Sequence, residues 1–231
     1  MNLRMSRYLV AGLVLTLASA CSTTSDGGPG PASPSGLATY GACGLEPNYL
    51  PTTFFEGRFI MFPINVFIDL SGAAADLQGE YQTALEQGFK SWETASGGEI
   101  GAVTFVNGPG FAHVTATFIP LIPGASFALG ASRVIDFQPG TPNLTTQTAI
   151  EFSSNNLATR FDEDFRNGVI TVEEFTQAIA GLAAHELGHS FGMTTHASVG
   201  NEWLMSTEGA SAHSSPTVTD LNTLKDNYCR P

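Results

Sequence analysis

Basic residues are scarce: nine Lys and Arg against 21 Asp and Glu leave a formal charge of −12 over 231 residues. A surface this acidic repels phosphate backbones and anionic headgroups, which argues against nucleic acid or a polybasic membrane contact as partner. Cysteine is scarce too, with three in the whole chain, so neither a disulfide scaffold nor a Cys-rich zinc module can be built. After residue 21 no apolar run approaches the ~20 residues that a membrane-spanning helix needs. Internal repeats are missing, which excludes solenoids and propellers.

What is present begins with Arg4 and Arg7, an apolar run from Tyr8 to Leu17, and Ala18-Ser19-Ala20-Cys21. This pattern reads as a signal peptide over 1–20. Its end has two readings. Ala18-Ser19-Ala20 suits ordinary cleavage, whereas small residues before Cys21 resemble a bacterial lipobox, whose cysteine is lipidated and becomes the new N-terminus. The lipoprotein reading is preferred because residues 22–36 (STTSDGGPGPASPSG) are too small and polar to fold and suit a tether spanning roughly 20 Å. An unanchored disordered tail is the alternative. The expected location is therefore the cell envelope, at the outer membrane or cell surface, or else the medium. Any membrane contact would be through Cys21 alone.

Lipidation of Cys21 leaves Cys43 and Cys229, an exported pair near the two ends of the remaining chain, and a bridge between them is the first choice. Closing so long a loop contributes roughly 4–5 kcal/mol in the chain-entropy account.

Residues 38–231 suffice for one domain with a filled core. Pro63–Leu70 (PINVFIDL) reads as a strand, and Tyr81, Leu85, Phe89 and Trp92 recur at helical spacing. Further strands are expected over 102–106, 113–119, 132–137 and 147–152. Thr171 and Glu174 form a capping box that opens a helix over 172–191, with Phe175, Ile179, Leu182 and Leu187 as its apolar stripe. Thr217 and Asp220 open a last helix carrying Leu221, Leu224 and Tyr228.

The chemistry is concentrated in HELGHSFGMTTH, His185 to His196. Histidines four apart on a helix lie one turn above each other, so both imidazoles reach one metal ion. Glu186 adjoins His185 and is placed to act as a base without ligating the metal. Gly192 suits a sharp helix stop that needs positive φ. The returning chain then brings His196. Three neutral imidazoles leave one position open on Zn²⁺, as in catalytic rather than structural sites. A calcium loop over 162–175 fails on register: with Gly168 at the sixth position, Glu163 falls first and Phe165 third, so structural Ca²⁺ has no clear motif. That stretch is expected to be an acidic loop feeding the helix cap. His113 and His213 have no partner at metal spacing and are read as structural or exposed.

This stretch, with Met205 downstream in Trp203-Leu204-Met205-Ser206, resembles the metzincin zinc endopeptidases, and most of all their matrixin (matrix-metalloproteinase-like) branch. The family signature is His-Glu-x-x-His-x-x-Gly-x-x-His followed by a methionine turn. Here the third histidine comes one residue late, with Thr195 at the family position and His196 next to it. The resemblance implies an α+β fold: a twisted, mostly parallel five-stranded sheet with an antiparallel edge strand, two long helices and a C-terminal helix. It places Leu129–Phe137 as the substrate-binding edge strand and Met205 beneath the ligands. It further implies a zinc endopeptidase with His185, His189 and His196 as ligands and Glu186 as general base, acting as a monomer on protein or peptide substrates. Cys43-Gly44-Leu45-Glu46-Pro47-Asn48 faintly resembles the matrixin cysteine switch, which makes Cys43 a latent zinc ligand as the rival of the disulfide. No counterpart of the family's structural-zinc histidines is present. Two other readings stay open. In a gluzincin-like peptidase Glu208 replaces His196, and a surface binding module would keep the fold without catalysis.

Overall fold

The computed structural model describes residues 44–49, 58–59, 62–138, 141–197 and 200–229. The expected signal peptide over 1–20, the lipidated Cys21 and tether over 21–37, and Cys43 in either of its roles lie outside the described residues.

Alternation of apolar and polar residues produces strands wherever one face is buried. Val114–Ile119 (β4) alternates buried and half-buried along its whole length, and Ile64–Asp69 (β2) does so at its start. With Arg58–Phe59 (β1), Val103–Phe105 (β3), Gly130–Gln138 (β5) and Thr141–Ser153 (β6) they make one mostly parallel, six-stranded sheet. β3, β2, β4 and β6 run parallel in that order. β5 pairs antiparallel with β6. The chain is thus α+β, with six strands among the described residues where five are expected. The extra one, β1, has two residues, too few for any alternation to register, and is fixed by pairing Arg58 with Leu144 and Phe59 with Thr145. β6 likewise begins at Thr141 rather than Gln147. Its polar first half carries Pro142 and is held by neighbouring strands, not by an apolar pattern.

Helices pack against the sheet. α1 (Gln78–Ala95) buries Tyr81, Ala84, Leu85, Gly88, Phe89, Ser91 and Trp92, the stripe expected of a 3.6-residue period. Ser154–Leu157 (α2), a π-helical turn over Ala158–Asp162 and Glu163–Arg166 (α3) then lead to α4 (Val172–Ser190). Gly209–Ala212 (α5) and Val218–Cys229 (α6) follow. α1 and α4 cross closely, because a Cβ on Gly88 would overlap the carbonyl oxygen of Ala180. Trp92 Nε1 donates to the carbonyl of Ala184 at 2.8 Å and locks the crossing.

The acidic stretch from Asp162 is helical as far as Arg166, not the expected loop. Tertiary contacts override its weak local preference. Asp162 is buried and accepts from the Tyr81 hydroxyl at 2.6 Å, and Arg166 grips Asp76 with two bonds of 2.7 and 2.8 Å. Burial pushes the Asp162 carboxyl up from the ordinary range. No helix among the described residues is long and apolar enough to cross a membrane.

Candidate metal centre

The site is built on α4, which starts where its sequence dictates. Thr171 Oγ1 accepts from the Glu174 amide at 3.2 Å while Glu174 Oε2 accepts from the Thr171 amide at 2.8 Å. From Ile179 to Ser190 every residue is buried, so the second half of the helix lies inside the molecule. His185 and His189 sit there one turn apart, with ring centroids 4.8 Å apart.

The helix ends as expected at Gly192, φ 100°. The Gly192 amide donates to the His189 carbonyl at 2.9 Å and the Met193 amide to Gly188 at 3.2 Å, the paired bonds of a Schellman stop. This turn directs the Met193 carbonyl back at His189, whose Nδ1 lies 2.5 Å away. A second turn does the same for His185. Its Nδ1 is 2.6 Å from the carbonyl oxygen of Leu204, in the turn closed by the Ser206 amide on Trp203 O.

These two contacts decide the tautomers. A carbonyl only accepts, so both Nδ1 atoms carry the proton and both Nε2 atoms present bare lone pairs. Yet His185 Nε2 lies 3.2 Å from His189 Nε2 and 3.2 Å from His196 Nε2. The facing lone pairs of His185 and His189 repel unless a cation lies between them, and His196 Nε2 lies against the same His185 atom. All three imidazoles offer a ligand atom within 4.8 Å of the others, close enough to hold one metal ion. Burial holds the His185 imidazole down at about 4 and that of His189 well below the ordinary value; His196 is also lowered by burial. Each therefore stays in the neutral, ligating form.

His196, not Thr195, takes the third position, and the Ala197 amide on the Met205 carbonyl at 2.9 Å pins its loop to the methionine turn. Met205 is fully buried beneath α4, where a Cβ on Gly188 would overlap its Sδ and come within 2.9 Å of Trp92 Cζ2. Glu186 is 5% exposed, and its Oε2 is buried with no hydrogen-bond partner. Burial pushes its carboxyl up to about 8. On its other side lies Gly130 at the start of β5. A cleft of about 570 Å³ opens beside the centre, walled by Leu129, Phe161, Ala178, Leu182 and Ala210. Glu208 lines that cleft but is not among the three converging side chains.

No protein-family model and no curated protein matches the chain.

His113 and His213 stand apart from it. His113 Nδ1 accepts the Asn65 amide at 2.9 Å, tying β2 to the residue before β4, and His213 Nε2 lies 2.9 Å from Asn201 O. Sequence reasoning missed Gly130, the carbonyls of Met193 and Leu204, and Asp220 beyond its helix-capping role. Asp220 is fully buried and accepts the Leu204 amide at 3.0 Å and the Met205 amide at 3.2 Å. Its Thr-x-x-Asp spacing signalled a cap, and nothing in the sequence signalled the turn it also holds.

Proposed function

We propose that this chain is a zinc-dependent endopeptidase of metzincin type, most similar to the matrixin branch. The observation that carries the reading is the facing of three imidazole nitrogens beside a buried carboxylate oxygen with no partner. Nε2 separations of 3.2 Å support zinc, since the edge of a tetrahedron with bonds of ~2.0 Å is ~3.3 Å. When bound, zinc supplies Lewis acidity that brings water toward a pKa of ~7 and polarises the scissile carbonyl.

The remaining work falls to the protein's own groups. Glu186 takes a proton from the attacking water and returns it to the leaving amine. Burial raises the Glu186 carboxyl above the ordinary range, toward the values at which one carboxyl both accepts and returns a proton. β5, paired only on its β6 side among the described residues, offers an edge along which an extended peptide adds as a further strand. That strand begins at Gly130, opposite Glu186, so a peptide aligned there passes the base at a close and fixed distance. The apolar cleft beside it takes one substrate side chain. We further propose export as an envelope lipoprotein anchored through Cys21, or as a secreted protein, acting as a monomer on peptide or protein substrates.

The test is metal analysis of the purified protein together with a peptide-library assay, with and without chelator. One zinc per chain is expected, with cleavage that chelator abolishes and zinc restores. Glu186→Gln should keep the zinc and lose nearly all turnover. A loaded protein that cleaves nothing would favour the binding module, and zinc retained in His196→Ala but lost in Glu208→Ala would favour the gluzincin arrangement.

A further inference from the structure

The segment 44–49 is strapped onto α6, and the contacts of Tyr49 extend from there to both turns that aim the helix histidines. Asp226 Oδ1 accepts the Gly44 amide at 2.7 Å and the Leu45 amide at 3.2 Å, and its Oδ2 accepts Asn48 Nδ2 at 3.0 Å. Asn222 Nδ2 donates to the Pro47 carbonyl at 3.0 Å, and the Tyr49 amide donates to Thr223 Oγ1 at 3.2 Å. So many bonds for a short stretch fix it tightly, and they deliver one large side chain inward.

That side chain is buried and its hydroxyl donates to Asp220 Oδ1 at 2.9 Å. Asp220 holds the amides of Leu204 and Met205, and the Leu204 carbonyl faces His185 Nδ1. The Tyr49 ring stacks on Trp203, the first residue of the same turn, with centroids 5.5 Å apart. Its oxygen also lies 3.5 Å from Met193 Sδ, the residue whose carbonyl faces His189 Nδ1. One phenol thus braces the two carbonyls that fix the tautomer and rotation of both helix ligands. Groups that orient metal-bound imidazoles affect metal affinity nearly as strongly as the ligands themselves.

We propose that Tyr49 is a positioning residue of the metal centre and that docking of its strap on α6 and metal binding stabilise each other. This rests on the metal-centre reading above. Coupling between two sites is reciprocal, so it is measurable from either end.

The experiment uses the full chain and zinc itself as probe. In a competition titration with a chromogenic chelator, Tyr49→Phe, which removes only the hydroxyl, should weaken zinc about tenfold, as for an orienting group. Thr83→Ala, which removes one exposed hydrogen bond to the Gly79 carbonyl on α1 and touches neither strap nor site, serves as the control and should change zinc affinity less than twofold. In the wild type, zinc should slow hydrogen exchange of the Gly44, Leu45 and Tyr49 amides by a similar factor of ten relative to the Gly168 amide. This second measurement needs no variant and stands even if Tyr49→Phe does not fold. Unchanged zinc affinity in a folded Tyr49→Phe, or strap amides whose protection ignores zinc, would overturn the proposal while leaving the metal centre intact. A wild type that takes up no zinc would remove both.

Discussion

Gly130 and Glu186 are in contact across the β5–α4 interface: a Cβ built on Gly130 would lie 2.8 Å from Glu186 Oε1, 2.9 Å from Cγ and 3.0 Å from Cδ. Because three atoms of the side chain are crowded at once, the carboxyl must shift bodily rather than rotate. Gly130→Ala should therefore lower kcat by about 10- to 100-fold, the scale of a displacement approaching 1 Å at a reacting group. Zinc content should barely change. A variant with normal kcat would show that the carboxylate tolerates the shift or has no part in turnover.

Gly188 serves a different contact. Its missing side chain admits Met205 Sδ and the edge of Trp92 beneath the two histidines. Gly188→Ala gains about 1 kcal/mol in helix propensity but overpacks a closed core site, which costs typically 1–3 kcal/mol. Net destabilisation is expected, read by denaturant unfolding of the metal-free protein. Any gain in stability would contradict the packing described here.

The cleft wall offers a test of specificity. Ala178 is half-buried on α4, facing the cleft that ends at His185 and Glu186. Ala178→Phe fills part of that space without touching a ligand. Peptides carrying a large apolar residue at the cleft position should lose roughly tenfold in kcat/KM, whereas peptides with alanine there keep their rate. An equal loss for both classes would mean that the cleft receives no side chain.

His113 supplies a pH dependence away from the metal centre. Burial lowers its pKa from 6.5, and its Nδ1 already accepts the Asn65 amide, so the folded state resists protonation. With the folded pKa below the unfolded one, its contribution is complete above about 6.5 and is lost as pH falls from there through the folded pKa. Between pH 7.5 and 5.5 the wild type should lose more denaturant stability than His113→Gln, both measured with the same metal loading. Identical losses would exclude His113 as a source of acid sensitivity.

Residue order alone determined the elements whose signals are local. His185 and His189 four apart, the Thr171/Glu174 cap and Gly192 at the stop placed the helix that carries the two histidines to within a residue, because capping and positive φ are decided within one or two turns. The stripe of Tyr81, Leu85, Phe89 and Trp92 likewise located α1, since burial repeats at the helical period. Tertiary structure alone decided what depends on partners distant in sequence. It brought His196 rather than Glu208 to the other two histidines, paired the two residues of β1 with β6, and wound the acidic stretch after Asp162 into helix against Tyr81. It also set Gly130 against Glu186 and Tyr49 against Asp220. The histidine contact aside, which spans 11 residues from His185 to His196, such contacts join segments tens to more than a hundred residues apart, and no periodicity or capping rule encodes which buried group will meet which once the core closes.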